Sequence, residues 1–106
     1  NTQFDEIYKN VTKKKNKVED EFDILLVNGS VVYIIEVKYK VHPRDLERIV
    51  NKKYPNFKKL YPEYASYKHL LGIATFFIDD ELKEQALEMG INVLQRKGDV
   101  IEELVC

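Results

Sequence analysis

The chain has 106 residues, enough for one small domain spanning 1–106 with a core of its own; 44% apolar and 33% charged residues, with only 4 Gly and 3 Pro, exclude disordered, collagen-like and low-complexity classes. The lone cysteine, Cys106, excludes a disulfide framework and a cysteine-based zinc site. The net charge of −1 hides an asymmetry, since residues 1–69 carry 14 Lys/Arg against 10 Asp/Glu and residues 70–106 carry 3 against 8, so one basic and one acidic face are expected.

Phe4, Ile7, Tyr8 and Val11 recur at helical spacing and predict a short helix over about 3–12, capped by Thr2 or Asn1. The polar stretch from Thr12 to Lys17 ends it. From Val18 to Leu26 the pattern becomes strand-like, with Phe22, Ile24 and Leu26 on one face, and Asn28-Gly29 supplies a strong hairpin signal. Val31 to Val41, β-branched and aromatic, is the return strand. Pro43 then opens a helix with a stripe of Leu46, Ile49 and Val50, expected to falter at Tyr54-Pro55 because the residue before proline is pushed out of the α region. A shorter helical turn over 56–61 should follow.

Leu70 to Ile78 is apolar on both faces, as for a central strand with helices on each side. Asp79-Asp80 caps a helix containing Leu82, Ala86 and Leu87, with Gly90 at its end. Strands over 91–94 and 100–105 close the chain around a turn at Lys97-Gly98-Asp99. The order is α-β-β-α-β-α-β-β, a mixed-sheet α/β domain with a parallel crossover over 70–95. The apolar run at 70–78 falls well short of the ~20 residues of a membrane helix, and no signal peptide is visible, so a soluble, cytoplasmic protein is expected.

Ile34-Ile35-Glu36-Val37-Lys38 places a carboxylate and an ammonium inside an apolar strand, where unpaired charges persist only with partners or a function. A two-residue loop at Asn28-Gly29 sets Asp23 opposite Ile34 and Glu21 opposite Glu36, so Asp23, Glu36 and Lys38 share a face. A three-residue loop would send Asp23 to the other face. Two converging carboxylates suit a hard divalent ion, Mg²⁺ or Mn²⁺, and a lysine beside it can orient or deprotonate water or offset charge building on a phosphate. That is equipment for phosphodiester hydrolysis.

Phe22-Asp23, twelve intervening residues, then Glu36-Val37-Lys38 resembles the PD-(D/E)XK nuclease motif, with Phe at the nominal Pro. Spacing and hairpin placement are similar to archaeal Holliday-junction resolvases, and Ala86-Leu87-Glu88-Met89-Gly90-Ile91 looks like a nuclease-like family of the same superfamily. The likeness covers about 1–80 in element order and 22–40 in sequence-specific detail. It implies a restriction-endonuclease-like mixed sheet flanked by helices, Asp23 and Glu36 as metal ligands with the Val37 carbonyl as a third, and Lys38 as the catalytic lysine. It also implies a carboxylate from the first helix, for which Glu6 or Asp5 is placed, with Glu21 a rival. The small size argues against sequence-specific cutting.

Lys40, Arg44 and Arg48 follow the motif, and Lys13, Lys14, Lys15 and Lys17 precede it; they can track a DNA phosphate backbone or simply be solvated. Tyr54, Phe57, Tyr61, Tyr64 and Tyr67 can stack bases, although their spacing favours core or dimer packing. A homodimer suits a double-strand or junction substrate, one centre per strand. His42 and His69 lack a third zinc ligand, Ser30 and Ser66 lack a nucleophile elbow, and the four glycines form no nucleotide-binding loop. The rival reading is an inactive scaffold of the same fold for DNA binding or protein association; RNA processing is a third.

Overall fold

The β-branched run after the Asn28 turn forms strand β3 (Val31–Lys40), and pairing with it places most of the molecule. The computed structural model describes residues 3–106. β3 runs antiparallel to β2 (Val18–Val27) and parallel to β4 (Lys68–Phe77). β4 runs parallel to β5 (Ile91–Lys97), β5 antiparallel to β6 (Val100–Leu104), and β1 (Glu6–Lys15) lies antiparallel on the outer edge of β2. The six strands follow chain order across one mixed sheet, the α/β class expected.

Two parallel links need crossovers. The first contains helix α1 (Pro43–Arg48), a π-helical stretch Ile49–Lys53, helix α2 (Tyr54–Leu60) and a 3-10 turn; the second is helix α3 (Asp80–Glu88), capped by Asp79, whose Oδ1 accepts the Leu82 N–H at 2.8 Å. Ile34, Leu71 and Ile91 are neighbours across the sheet, as are Glu36, Ile73 and Val93, so all six side chains share a face. Leu25, Val32 and Ile34 on that face cluster with Phe57 and Leu60 of α2, while Ile73, Ile91 and Val93 cluster with Leu46, Ile49, Leu82 and Ala86. All three helices therefore cover one face of the sheet, not both. On the other face Tyr33 lies so close across Gly72 that an added Cβ would meet its Cε1 at 2.7 Å. Further along that face Tyr39 is 70% exposed.

The predicted first helix is a strand, and its proposed caps at Asn1 and Thr2 lie outside the described residues. A helix that short is marginal alone, and no core receives its stripe: Ile7 is 61% exposed. The open edge of β2 offers a hydrogen-bond ladder instead, closed at Lys15↔Val18 around Asn16, whose φ of 57° suits a tight hairpin turn. Lys13, Lys14 and Lys15 belong to this edge strand, where charge discourages further pairing.

The Asn28 turn is longer than two residues. Asn28 N–H donates to the Val31 carbonyl at 3.0 Å, the Asn28 side chain accepts from Ser30 and Val31, and the first ladder pair is Val27↔Val32. The register therefore shifts by two, which by itself leaves facings unchanged and, extended one pair beyond the ladder, puts Asp23 level with Glu36 rather than Ile34. Nor does the helix stop at Tyr54-Pro55. The preceding turn widens to a π-turn, with Tyr54 N–H donating to Ile49 O, and so accommodates a proline within a continuous helical run. The aromatic series packs inward as the spacing favoured, with the Phe57 and Tyr61 rings stacked at 5.0 Å.

Candidate active site

β2 and β3 pair from Val27↔Val32 to Ile24↔Ile35 and then part. Burial along β2 switches phase at the same point, from Asp20 and Phe22 to Leu25 and Val27, because its first half bends over α2 and seats Phe22 edge-on against Phe57 at 5.8 Å. The ladder on β1 also lapses here, where Asn10 takes φ 52°. At the fork, side chains replace the ladder. Asp23 Oδ2 accepts the Val37 N–H at 2.8 Å, and Glu36 Oε2 accepts the Asp23 N–H at 3.5 Å. Asp23 and Glu36 thus come together on the helix-covered face, as the sequence predicts.

Glu36 is only 7% exposed. Burial, and then the charge of Asp23, push its carboxyl above the ordinary carboxylate range, while the ammonium of Lys53 pulls the other way. Lys53 is buried too, 6% exposed, with Nζ 2.8 Å from Asp20 Oδ1, 3.7 Å from Glu36 Oε1, and donating to the Glu21 carbonyl. Asp20 Oδ2 accepts from Asn56 Nδ2 at 2.9 Å, and Oδ1 from the Glu21 N–H at 2.7 Å. Burial raises the Asp20 carboxyl, but the Lys53, Asn56 and backbone hydrogen bonds outweigh it and hold the group below its ordinary value.

These groups line a cavity of about 310 Å³. Lys38 reaches it from β3 with its side chain 43% exposed, its Nζ 3.8 Å from Asp45 Oδ1. Asp45 is fixed in the first turn of α1, its Oδ2 accepting the His42 N–H at 2.8 Å. Val37 also lines the cavity, and because strand alternation sends its side chain to the other face, it presents main chain. A second cleft adjoins the first and is lined by Lys40, Arg44 and Arg48 beside Lys38; Arg48 belongs to both. The three predicted phosphate-tracking cations therefore share one groove.

The extra carboxylates fare differently. Glu21 borders the cavity, but the bend in β2 leaves its side chain exposed and contributes its carbonyl, while Asp20 takes the inward place. Glu6 stands opposite Val27 at the far end of the hairpin and hydrogen-bonds Tyr8; neither it nor Asp5 lines the cavity. Loss of the predicted helix removed the element that would have carried them inward. Asp20, Asp45 and Lys53 were not singled out from the sequence. Lys53 had a signal: it falls on the stripe of Leu46, Ile49, Phe57 and Leu60, where a lysine is out of place.

Among the described residues no three His, Cys, Asp or Glu side chains are arranged to enclose a metal ion. The pair Asp23 and Glu36 still fits one, because Mg²⁺ keeps several waters and takes one or two carboxylates, and the mutual repulsion that raises Glu36 is what a cation between them would relieve.

A profile of the PD-(D/E)XK nuclease superfamily matches residues 16–92, which span the fork, the cavity and both crossovers. No curated protein matches the chain. Among solved structures, the crystal structure of a protein of unknown function, AF1548, superposes with a TM-score of 0.57 at 23% identity, over 83% of this chain and 47% of its own. The chain thus spans about half the length of that neighbour, and the likeness concerns the fold.

Proposed function

The chain belongs to the PD-(D/E)XK nuclease superfamily, and from that membership we propose that it is a metal-dependent DNA endonuclease domain, hydrolysing phosphodiester bonds without strong sequence specificity. The observation that carries the reading is the fork itself, where β2 and β3 part and hydrogen bonds between side chain and backbone hold Asp23 against Glu36. The restriction-endonuclease-like sheet supplies the scaffold.

Asp23, Glu36 and the Val37 carbonyl would hold Mg²⁺ or Mn²⁺, which when bound supplies Lewis acidity toward a phosphate oxygen and a more acidic water. Lys40, Arg44 and Arg48 bind backbone phosphates in the adjoining cleft and set the register of the strand. Lys38, between that cleft and the carboxylates, stabilises negative charge building on the phosphate under attack. Water oxygen bonds to phosphorus and gives up a proton to solvent, the bond to the leaving sugar oxygen breaks, and that oxygen takes up a proton from solvent. Asp45 keeps Lys38 at the lip of the cavity. A double-strand substrate needs two such centres, which a pair of copies provides.

A second reading, a non-catalytic DNA-binding or protein-associating scaffold, draws on Lys53, whose ammonium already compensates part of the acidic cluster. Cleavage of labelled linear duplex, single-strand and branched DNA with Mg²⁺ or Mn²⁺ separates the two. The expected result is cutting that falls on the order of 10²–10³-fold in Glu36→Ala and Lys38→Ala. Cutting that persists in both variants rejects this site, metal-independent cutting rejects the metal dependence, and binding without cutting selects the scaffold.

A further inference from the structure

Lys53 is the costliest side chain in the molecule to explain. An ammonium at an apolar stripe position, 6% exposed, must offset the loss of its hydration. It lies at the end of a π-helical stretch, an irregularity that recurs at functional sites. Its surroundings resemble those of a metal ion more than those of a salt-bridged surface lysine. Three oxygens face Nζ: Asp20 Oδ1 at 2.8 Å, the Glu21 carbonyl, and Glu36 Oε1 at 3.7 Å. Carboxylate and main-chain carbonyl oxygens are the donors that hard divalent cations take.

The acidic cluster therefore has two cation positions that share Glu36. One lies between Asp23 and Glu36, where Asp23 pairs with no cation among the described residues. The other lies between Asp20, the Glu21 carbonyl and Glu36, and Lys53 fills it. We infer that Lys53 is a resident cation of this site, standing where a second metal ion would bind and limiting the site to one divalent ion. The inference rests on the metal-dependent reading above. Lys53 is a positioning residue in this scheme: it holds Glu36 and the bent half of β2 in place and touches no substrate. Because the ammonium is covalently part of the chain, its share of the charge compensation does not depend on metal concentration.

The test is calorimetric titration with Mn²⁺ alone, so no turnover is read. Wild type is expected to take up one ion per chain. Lys53→Met, similar in length and uncharged, should take up two, and adding Asp20→Asn should return the count to one. Lys53→Arg, which keeps the charge, should stay at one, so that a second ion follows from loss of the charge and not from substitution as such. Two ions in wild type, or a folded Lys53→Met that binds one ion with unchanged affinity, overturns the inference while leaving the nuclease reading in place. If Lys53→Met does not fold, Lys53→Gln takes its place: two ions support the inference, and one ion at unchanged affinity overturns it. No binding in any variant overturns the metal-dependent reading as well.

Discussion

The two ends of the β2–β3 pair are built from the same two strands and solve opposite problems. At the turn end, from Val27↔Val32 to Ile24↔Ile35, backbone groups satisfy one another and the inward side chains are free to be apolar, so Leu25, Val27, Val32 and Ile34 form core. At the forked end the strands part, and Asp23 and Glu36 receive the N–H groups that the ladder leaves. The Val37 N–H holds the Asp23 carboxylate at 2.8 Å, and the Asp23 N–H makes a longer contact of 3.5 Å to Glu36. A strand pair that stayed zipped would leave those carboxylates to swing. The fork converts backbone hydrogen-bond demand into site rigidity.

Substitutions at the two ends should differ in kind. The largest loss of stability is expected at the zipped end, where Ile34→Ala removes a side chain 1% exposed and should cost about 2–5 kcal/mol in chemical denaturation. At the fork, Asp23→Ala removes the acceptor of a solvent-accessible Val37 N–H and should cost about 0.5–1.5 kcal/mol. Asp23→Asn keeps an acceptor for that N–H and should cost less than half as much. Both Asp23 variants should lose any rise in melting temperature on adding Mg²⁺ or Mn²⁺, which separates the ligand role from the structural one. Equal costs for Ala and Asn would break the comparison.

Acid should find the fork before the zipped end. Asp20 has a folded-state pKa below its ordinary 3.8, so its contribution to stability is present above that value and is lost as pH falls through the folded value. Glu36, shifted upward, works with the opposite sign and gains from protonation. Unfolding measured against pH should therefore show an acid-side loss that Asp20→Asn flattens. The smallest effect belongs to a pair outside both regions. Lys97 and Glu102 face each other at 3.4 Å across the exposed β5–β6 turn, and Lys97→Ala should change stability by less than about 1 kcal/mol.

Residues close in sequence carried most of what could be read without a structure. The apolar strand broken by Glu36 and Lys38, the facing of Asp23, the α3 cap at Asp79 and the turn at Gly98 all follow from period-two alternation and local backbone preference. The facing of Asp23 survived a wrong turn length, since a register shift of two leaves every side chain on its own side. The segment from Glu6 to Lys15 has helical spacing and little intrinsic helix stability, so the free edge of β2 decided its state.

The same holds for the bend that turns Asp20 inward and Glu21 outward, which needs Phe57 to pack against Phe22. It holds also for the π-turn that carries Lys53 into the acidic cluster. The sequence by itself determined which residues bear charge within an apolar strand and which face they share, because alternation is a property of the chain. Only the tertiary structure decided which distant groups complete the site, because Asp20 and Lys53 are 33 residues apart and meet only after strand and helix have packed.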